Sequence, residues 1–255
     1  MTNQEILQIA LQQSAYDCSC DPEDFLSAEN RVVLSRKSSK ARAYLTLPFE
    51  CGLVSYGNNI VAQVSPRMKE VVDWYISKYD PAHCFESPNV IALNEKLAPL
   101  AYKVCFMAEY FLPDADVLAP LPCAYGMKVL TPPQFEQYYT AQWQNALSQT
   151  RKHLDVLAVG AFDREKLIGL AACSADCETM YQIGVDVLPT YRRKGIASAL
   201  TSRLAIEILK LGKVPFYCAA WSNLPSVRNA IKSGFRPAWV ELTARHSDFV
   251  DELNR

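Results

Sequence analysis

Apolar and polar residues alternate in one stretch of the C-terminal half and then change to helical spacing. Ile183, Val185 and Val187 are separated by single residues, which predicts a strand over Met180–Val187 that Pro189 closes. After a short basic loop, apolar positions recur at roughly helical intervals until Gly212, a residue type that commonly caps helix C-termini. The pattern predicts a strand, a loop and a long helix in succession.

The same patterns predict further elements on both sides of this stretch. In the C-terminal half they are a strand at 127–130, a helix at 134–147 with a buried aromatic stripe, a hairpin of 156–162 and 166–174, a strand at 214–221, a helix at 225–233 and a strand at 235–243. In the N-terminal half they are a capped helix from Thr2 to about Ala15, a helix start at 21–26, a loop at 35–42, a hairpin of 53–56 and 60–64, a helix at 66–79, a short strand at Cys84–Phe85, a helix at 89–100 and a strand at 102–111.

This order predicts an α/β protein (α+β in detail) with a mixed central sheet flanked by helices and two domains. A linker rich in proline and acidic residues at 112–126 separates an N-terminal α/β domain, 1–120, from a second domain, 126–255. The two halves have similar element orders. The N-terminal half is therefore either a degenerate copy of the other, in a tandem duplication, or an unrelated segment with a common alternation.

Composition narrows the class of protein. The chain has 255 residues, a net charge of -1 and nine cysteines without a CxxC motif, which favours small buried thiols over a metal site. The absence of a long apolar segment or basic leader predicts a cytoplasmic protein that does not enter a membrane. Up to Tyr125 we count 10 Lys/Arg and 15 Asp/Glu, and after it 16 and 12. This mildly basic second half suits a polyanionic cofactor, but is too weakly clustered for nucleic acid.

The loop after the predicted strand has the chemistry of an anion site. Arg192, Arg193 and Lys194 precede Gly195, and the first-turn amides of the following helix lack intrahelical partners. Together with the helix dipole, these groups suit a diphosphate. The alternative is a basic surface turn before an ordinary amphipathic helix.

Arg192-x-x-Gly195-x-Ala197, after a strand that ends in a hydrophobic-Pro pair, resembles the core motif of the GNAT N-acyltransferases. Further along, Asn223, Ser226 and Gly234-Phe235 resemble a second motif of that family. The resemblance covers nearly half of the chain and implies acetyl-CoA as co-substrate. It also implies cofactor contacts from the strand, the loop and the asparagine: Val185, Val187, Arg192, Arg193, Lys194, Gly195, Ile196, Ala197, Ser198 and Asn223.

One departure from the family concerns the proton donor. The family tyrosine that protonates the leaving thiolate follows the asparagine by seven residues, and that position is Ala230 here. Ser226 and Tyr217 are alternative donors nearby in sequence. Asp186, on the central strand, and Glu178, at its entry, are candidates for a general base. Asp186 is one of few charges within the apolar run, where burial is expected to raise its pKa. Asp186 has the alternative role of a structural hydrogen-bond acceptor.

These observations predict direct transfer of an acetyl group from acetyl-CoA to a primary amine, with Asp186 and Ser226 as catalytic residues and no metal. The acceptor is expected to be a small molecule or a peptide, and a homodimer is left open. The alternative is a non-catalytic CoA-binding or regulatory module, for which the missing tyrosine argues.

Overall fold

The computed structural model describes residues 1–255 as a mixed α/β protein with seven α-helices and ten strands. The helices are α1 (Asn3–Cys18), α2 (Lys69–Lys78), α3 (Ser87–Leu97), α4 (Pro132–Phe135), α5 (Ile196–Lys210), α6 (Leu224–Lys232) and α7 (Ser247–Leu253). The strands are β1 (Arg31–Leu34), β2 (Cys51–Ser55), β3 (Val61–Val64), β4 (Tyr102–Pro113), β5 (Gly126–Leu130), β6 (Asp155–Asp163), β7 (Lys166–Ser174), β8 (Met180–Val187), β9 (Val214–Ala220) and β10 (Phe235–His246). The predicted class, mixed strand pairing with flanking helices, is confirmed. No helix has both the length and the apolar character needed to cross a bilayer.

The chain forms two compact units whose residues interleave along the sequence. Unit 1 contains residues 1–10 and 111–237, and unit 2 contains residues 11–110 and 238–255. This division differs from the expected 1–120 and 126–255 at both ends of the chain. In unit 2, Val240–Ala244 of β10 pair with Cys51–Ser55 of β2. In unit 1, the Asn3 side chain bonds the Asp114 carboxylate at 3.0 Å. The pairing of β10 with β2 therefore explains why the C-terminal residues belong to unit 2. The hydrogen bond of Asn3 explains why the N-terminal residues belong to unit 1.

Unit 1 is built on the strand order β9-β8-β7-β6-β5. Only the pairing of β8 with β9 is parallel, while β5 to β8 form an antiparallel meander. Helix α5 covers one face, and its residues Ile196, Leu200 and Leu204 are at most 1% exposed. The predicted hairpin, central strand and long helix are therefore confirmed, with Gly212 at φ +73° after the helix.

The helix predicted over 134–147 is wrong. Only α4 is α-helical, and two short 3₁₀ turns and irregular chain follow it. Thr140 has extended dihedrals, φ -132° and ψ 162°, which interrupt the helical path. Downstream, the backbone amides of Asn145 and Ala146 bond to the Asp186 carboxylate of β8 instead of to helical carbonyls. Tertiary hydrogen bonds thus override the local periodicity. The aromatic stripe is nevertheless buried, with Phe135 and Trp143 in a core cluster.

Unit 2 has the strand order β1-β3-β2-β10. The predicted capping box of α1 is present, with the Thr2 and Glu5 backbone amides each bonded to the other side chain, although those two residues belong to unit 1. The short strand predicted at Cys84–Phe85 is wrong, because a 3₁₀ helix at Pro81–His83 carries Cys84 into the core. Strand β1, at four residues too short for a periodic signal, was not predicted and runs parallel to β3.

A buried ion network ties three parts of unit 2 together. Arg42 is 3% exposed and lies in the irregular segment between β1 and β2. Its Nε atom is 2.5 Å from Asp17 of α1, and an Nη atom is 2.8 Å from Glu241 of β10. The Trp239 indole also donates to Glu241 at 2.8 Å. Because a buried charge is costly unless it is paired and hydrogen-bonded, this network specifies where α1 and β10 lie in the unit.

Substitution of Gly184 tests how tightly the irregular segment crosses β8. A Cβ atom at Gly184 would lie 1.9 Å from the Asn145 carbonyl oxygen, whereas a Cβ at Gly126 of β5 would meet no atom within 4 Å. We expect Gly184→Ala to lower the free energy of unfolding by about 1–3 kcal/mol through overpacking. Denaturant unfolding measures the loss, with Gly126→Ala as the control. Equal stability of the two variants would contradict this packing.

Candidate functional site

Strands β8 and β9 part from one another halfway along their length. Their parallel register runs from Met180↔Val214 to Gln182↔Phe216 and ends there, although β8 continues to Val187 and β9 to Ala220. The opposite edge of β8 remains paired with β7 as far as Val187. Beyond Gln182 the two strands are therefore not paired with each other, and we call the gap between them the cleft. Backbone donors and acceptors at such an edge require partners.

The loop after β8 leads into the first turn of α5. Gly195 is the N-cap residue and has φ +78°, a left-handed conformation that favours glycine. The Ala199 amide makes the first intrahelical bond, to the Gly195 carbonyl at 3.1 Å. The three preceding amides therefore have no partner within the helix. A Cβ built at Gly195 meets no atom within 4 Å, which shows that the space around this turn is open. An anion can therefore approach the amides of Ile196, Ala197 and Ser198.

Three exposed cations surround this turn. The Arg192 Nε atom donates to the Val187 carbonyl at 3.0 Å, which folds the side chain back toward the end of β8. The Lys194 ammonium lies 5.1 Å from the centre of the Tyr191 ring. Arg193 has φ +62°, an uncommon conformation for a residue with a side chain. Positive charge and free helix amides thus occur at one place, as a diphosphate site requires.

The side chains of Ile196 and Ser198 are occupied elsewhere. Ile196 is 1% exposed and belongs to the core of unit 1. The Ser198 hydroxyl donates to the Asn229 side-chain oxygen of α6 at 3.2 Å. Each of these two residues can therefore serve an anion only through its backbone amide.

Asn223 is the N-cap residue of α6. Its side-chain oxygen accepts a hydrogen bond from the Ser226 amide at 3.3 Å, as an N-cap does. The side-chain NH₂ group of Asn223 is not needed for capping. The capping role and a contact to a ligand are therefore compatible.

The Asp186 carboxylate holds the segment that crosses β8. One oxygen accepts the backbone amides of Asn145 and Ala146 at 2.9 and 3.0 Å, and the other accepts the Asn145 side chain at 2.6 Å. Glu178, the other candidate base, lies at the opposite end of α5, because Lys213 after that helix donates to its carbonyl at 2.7 Å. Of the two carboxylates, only Asp186 lies on the part of β8 that lines the cleft.

Tyr217 and Ser226 form a hydrogen-bonded pair at the start of the cleft. Tyr217 directly follows Phe216, the last β9 residue paired with β8, and its hydroxyl lies 2.8 Å from the Ser226 hydroxyl. Burial raises the pKa of Tyr217 above its ordinary value. Ala230, where the GNAT family has its tyrosine, is fully buried in the same core as the Tyr217 ring.

Asn229 is a site residue that sequence analysis missed. It accepts from Ser198 and donates to Thr201 of α5 at 3.1 Å, and it lies close enough to the Tyr217 hydroxyl to act on the pKa of that group. A sequence signal existed, because Asn229 follows Ser226 by three residues and so lies on the same face of α6.

The family of the protein follows from comparison of its sequence with known families. The family model described as GNAT acetyltransferase matches residues 111–238, which is just over half of the 255 residues and contains β8, its loop, α5 and α6. The chain therefore belongs to the GNAT acetyltransferase family, whose members catalyse acyl transfer. No curated protein shows significant similarity to the chain.

Comparison with solved structures finds similar proteins at low sequence identity, and the one from Sphaerobacter thermophilus shares the fold. A GCN5-related N-acetyltransferase from Sphaerobacter thermophilus is similar over 95% of this chain and 93% of its own, with 14% identity and a TM-score of 0.50. A GCN5-related N-acetyltransferase-like protein from Streptococcus suis matches over 74% and 72%, with 17% identity and a TM-score of 0.44. A putative GNAT acetyltransferase from Novosphingobium aromaticivorans matches over 56% of this chain and 66% of its own, with 18% identity and a TM-score of 0.41. This chain thus spans just under two thirds of the last protein.

Replacement of Asp186 tests its structural role. Asp186→Ala removes both oxygens, which leaves the backbone amides of Asn145 and Ala146 without their acceptor. We expect the variant to lose about 1–3 kcal/mol of stability, the cost of leaving such donors unsatisfied. Hydrogen exchange of the Asn145 and Ala146 amides should accelerate in this variant and remain unchanged in Glu165→Gln, a control in an exposed turn. Unchanged exchange in both variants would rule out the tether.

Proposed function

We propose that this chain transfers an acetyl group from acetyl-CoA to a primary amine by direct attack, without a covalent enzyme intermediate. The observation that carries the proposal is the cleft between β8 and β9, which is followed by the open first turn of α5. A long ligand with an amide-containing arm and a diphosphate matches both parts. The arm can bond to a strand edge, and the diphosphate can bond to helix amides.

The residues of the chain support a consistent placement of the donor. In this proposal the backbone of Val185 and Val187 binds the pantetheine arm, and the amide side chain of Asn223 contacts that arm from α6. The diphosphate lies on the amides of Gly195, Ile196, Ala197 and Ser198 and is neutralised by the three cations of the loop, Arg192, Arg193 and Lys194. Acetyl-CoA supplies the activated acyl group, and no metal is invoked.

Two side chains are proposed to act on the reacting groups. Asp186, the charge on the open part of β8, would accept the proton of the attacking amine through water, because protein donors already occupy both of its oxygens. Ser226 would donate a hydrogen bond to the departing sulfur. A β8 amide at Val185 or Val187 would polarise the thioester carbonyl.

The acceptor belongs to the same proposal. A small-molecule or peptide amine is consistent with the family and with a carboxylate near the cleft. We propose that the reaction takes place in the cytoplasm, and the proposal holds equally for a monomer and a homodimer.

Unit 2 is proposed to be a degenerate copy of the acetyltransferase fold that does not bind CoA. Its hairpin β2–β3 leads into a helical segment, as β7–β8 leads into α5 in unit 1. The segment begins at Pro66, which has no N–H, and Ser65 occupies the N-cap position that Gly195 has in unit 1. A copy that does not bind CoA would instead contribute to the binding and selection of the acceptor.

A non-catalytic CoA-binding module is the second candidate. The observation in its favour is Ala230, a fully buried methyl group at the family position of the general acid. The rate at which free CoA is released from acetyl-CoA in the presence of a panel of amines distinguishes the two functions. A binding module would not raise this rate above the rate measured without protein.

Binding of the donor should stabilise the protein. At a CoA concentration of about 100 times the dissociation constant, the stabilisation is about 2.7 kcal/mol, which corresponds to a rise in Tm of about 5–10 °C for a chain of this size. Thermal unfolding with acetyl-CoA, CoA or adenosine measures it, and adenosine, which lacks the diphosphate, is the control. A Tm that does not respond to millimolar acetyl-CoA would exclude the proposed donor.

A carboxylate in the anion site should abolish binding of the donor. Gly195→Glu would place a negative charge where the diphosphate is proposed to lie. Gly212→Glu is a matched control, because Gly212 lies past the other end of α5, has a similar φ of +73° and likewise has open space around it. We expect both variants to bear similar backbone strain, but only Gly195→Glu to weaken CoA binding in calorimetry, by at least a hundredfold. Equal affinities would show that the loop is not the anion site.

A further inference from the structure

We propose that Asn229, Tyr217 and Ser226 form a directional hydrogen-bond relay that delivers a proton to the sulfur leaving the acyl donor. The inference rests on the proposed function, because it assumes that a thioester occupies the cleft between β8 and β9. In this relay Ser226 is the residue in contact with the sulfur. Tyr217 and Asn229 are positioning residues that act through it.

The three side chains converge from two elements. Tyr217 projects from β9, while Ser226 and Asn229 lie three residues apart on α6. The Tyr217 and Ser226 hydroxyls are 2.8 Å apart, and the Asn229 side chain lies close enough to the Tyr217 hydroxyl to act on its pKa. The Tyr217 ring is 5% exposed, so its hydroxyl group is fixed within the core and not mobile in solvent.

Neighbouring bonds determine the direction of the relay. The Ser198 hydroxyl donates to the Asn229 oxygen, so the Asn229 NH₂ group is the part that faces its other partners. One of its two hydrogens goes to Thr201 at 3.1 Å, and the other is available for the Tyr217 oxygen. A tyrosine oxygen that accepts from Asn229 directs its own hydrogen to the other neighbour, the Ser226 oxygen. Ser226 then has its hydrogen left to donate outside the pair.

The position of the pair places that hydrogen at the cleft. Tyr217 is the first β9 residue beyond the paired ladder, at the point where the two strands begin to part. The Asp186 carboxylate, on the open part of β8, is close enough to raise the pKa of Tyr217, as is Cys218, although burial is the larger cause. The hydroxyl therefore stays protonated at neutral pH and can act as a donor.

The proton balance of the transfer is complete with these groups. The amine nitrogen forms a bond to the acetyl carbon, and the bond from that carbon to sulfur breaks with its electron pair on sulfur. Sulfur takes the Ser226 proton and Ser226 takes the Tyr217 proton. After the CoA thiol has left the cleft, solvent that enters it returns a proton to Tyr217 through Ser226. The proton lost by the amine goes to solvent through the base. The products are an N-acetylated amine and the CoA thiol.

Ionisation of the bound CoA thiol tests the relay without an acceptor. CoA labelled with ¹³C at the carbon attached to sulfur is bound to the protein, and its NMR shift is followed against pH. A donor directed at sulfur stabilises the thiolate. We therefore expect the ionisation constant of the thiol to fall about tenfold in Ser226→Ala, the loss expected for a hydrogen bond to a charged group. In Tyr217→Phe it should fall severalfold.

Two controls separate the relay from general damage to the core. Tyr181→Phe removes a partly buried hydroxyl from β8 in the same unit and should leave the ionisation constant unchanged. Ser226→Thr keeps a hydroxyl and should retain most of the wild-type value. If wild-type protein binds CoA, but the bound thiol has the same ionisation constant in the wild type and in all four variants, the relay is wrong while the proposed donor stands. If wild-type protein does not bind CoA, the proposed function itself fails, and the relay with it.

Discussion

The end of the ladder between β8 and β9 is the constraint on which the rest of the site depends. A strand edge with unpaired amides and carbonyls is unfavourable unless something else satisfies them. Strand β8 keeps its place because β7 pairs with it from Gln182 to Val187 and α5 packs against it with fully buried Leu200 and Leu204. In our proposal, pairing on one edge and an unpaired stretch on the other allow β8 to bind an extended ligand arm. Because β8 is followed by the free amides of the first turn of α5, the diphosphate of the same ligand would bind there.

Elements with long, strong periodicity could be predicted from the sequence, and elements determined by a distant partner could not. The hairpin β6–β7, strand β8 and helix α5 contain their own signals, including the turn residues and Gly212. The segment after α4 has helical spacing as well, but its amides bond to Asp186, a residue about 40 positions away. Gly184 allows that approach because it has no Cβ. Neither fact is visible in the local pattern.

The candidate site divides in the same way. The backbone of the candidate anion site at Gly195 could be predicted, because the positions of its amides follow from a helix start and a glycine. The roles of side chains could not, because they depend on which polar residue faces which. Asn229 occurs in a short amphipathic helix with exposed Arg228 and Lys232 next to it, and in sequence it resembles another surface residue. Its contacts to α5 and to Tyr217 exist only once α6 has packed.

The alanine at position 230 fits this packing. Its methyl group is fully buried in the core cluster that also contains the aromatic rings of Tyr217 and Phe235. A tyrosine side chain there would have to displace its core neighbours, since cores are packed nearly without voids. In our proposal, the hydroxyl group that the family places at this position of α6 is replaced by the hydrogen-bonded pair of Ser226 on α6 and Tyr217 on β9. The short Ser226 side chain on α6 meets the Tyr217 hydroxyl. The alanine at position 230 and the pair of Tyr217 and Ser226 are therefore parts of one packing arrangement.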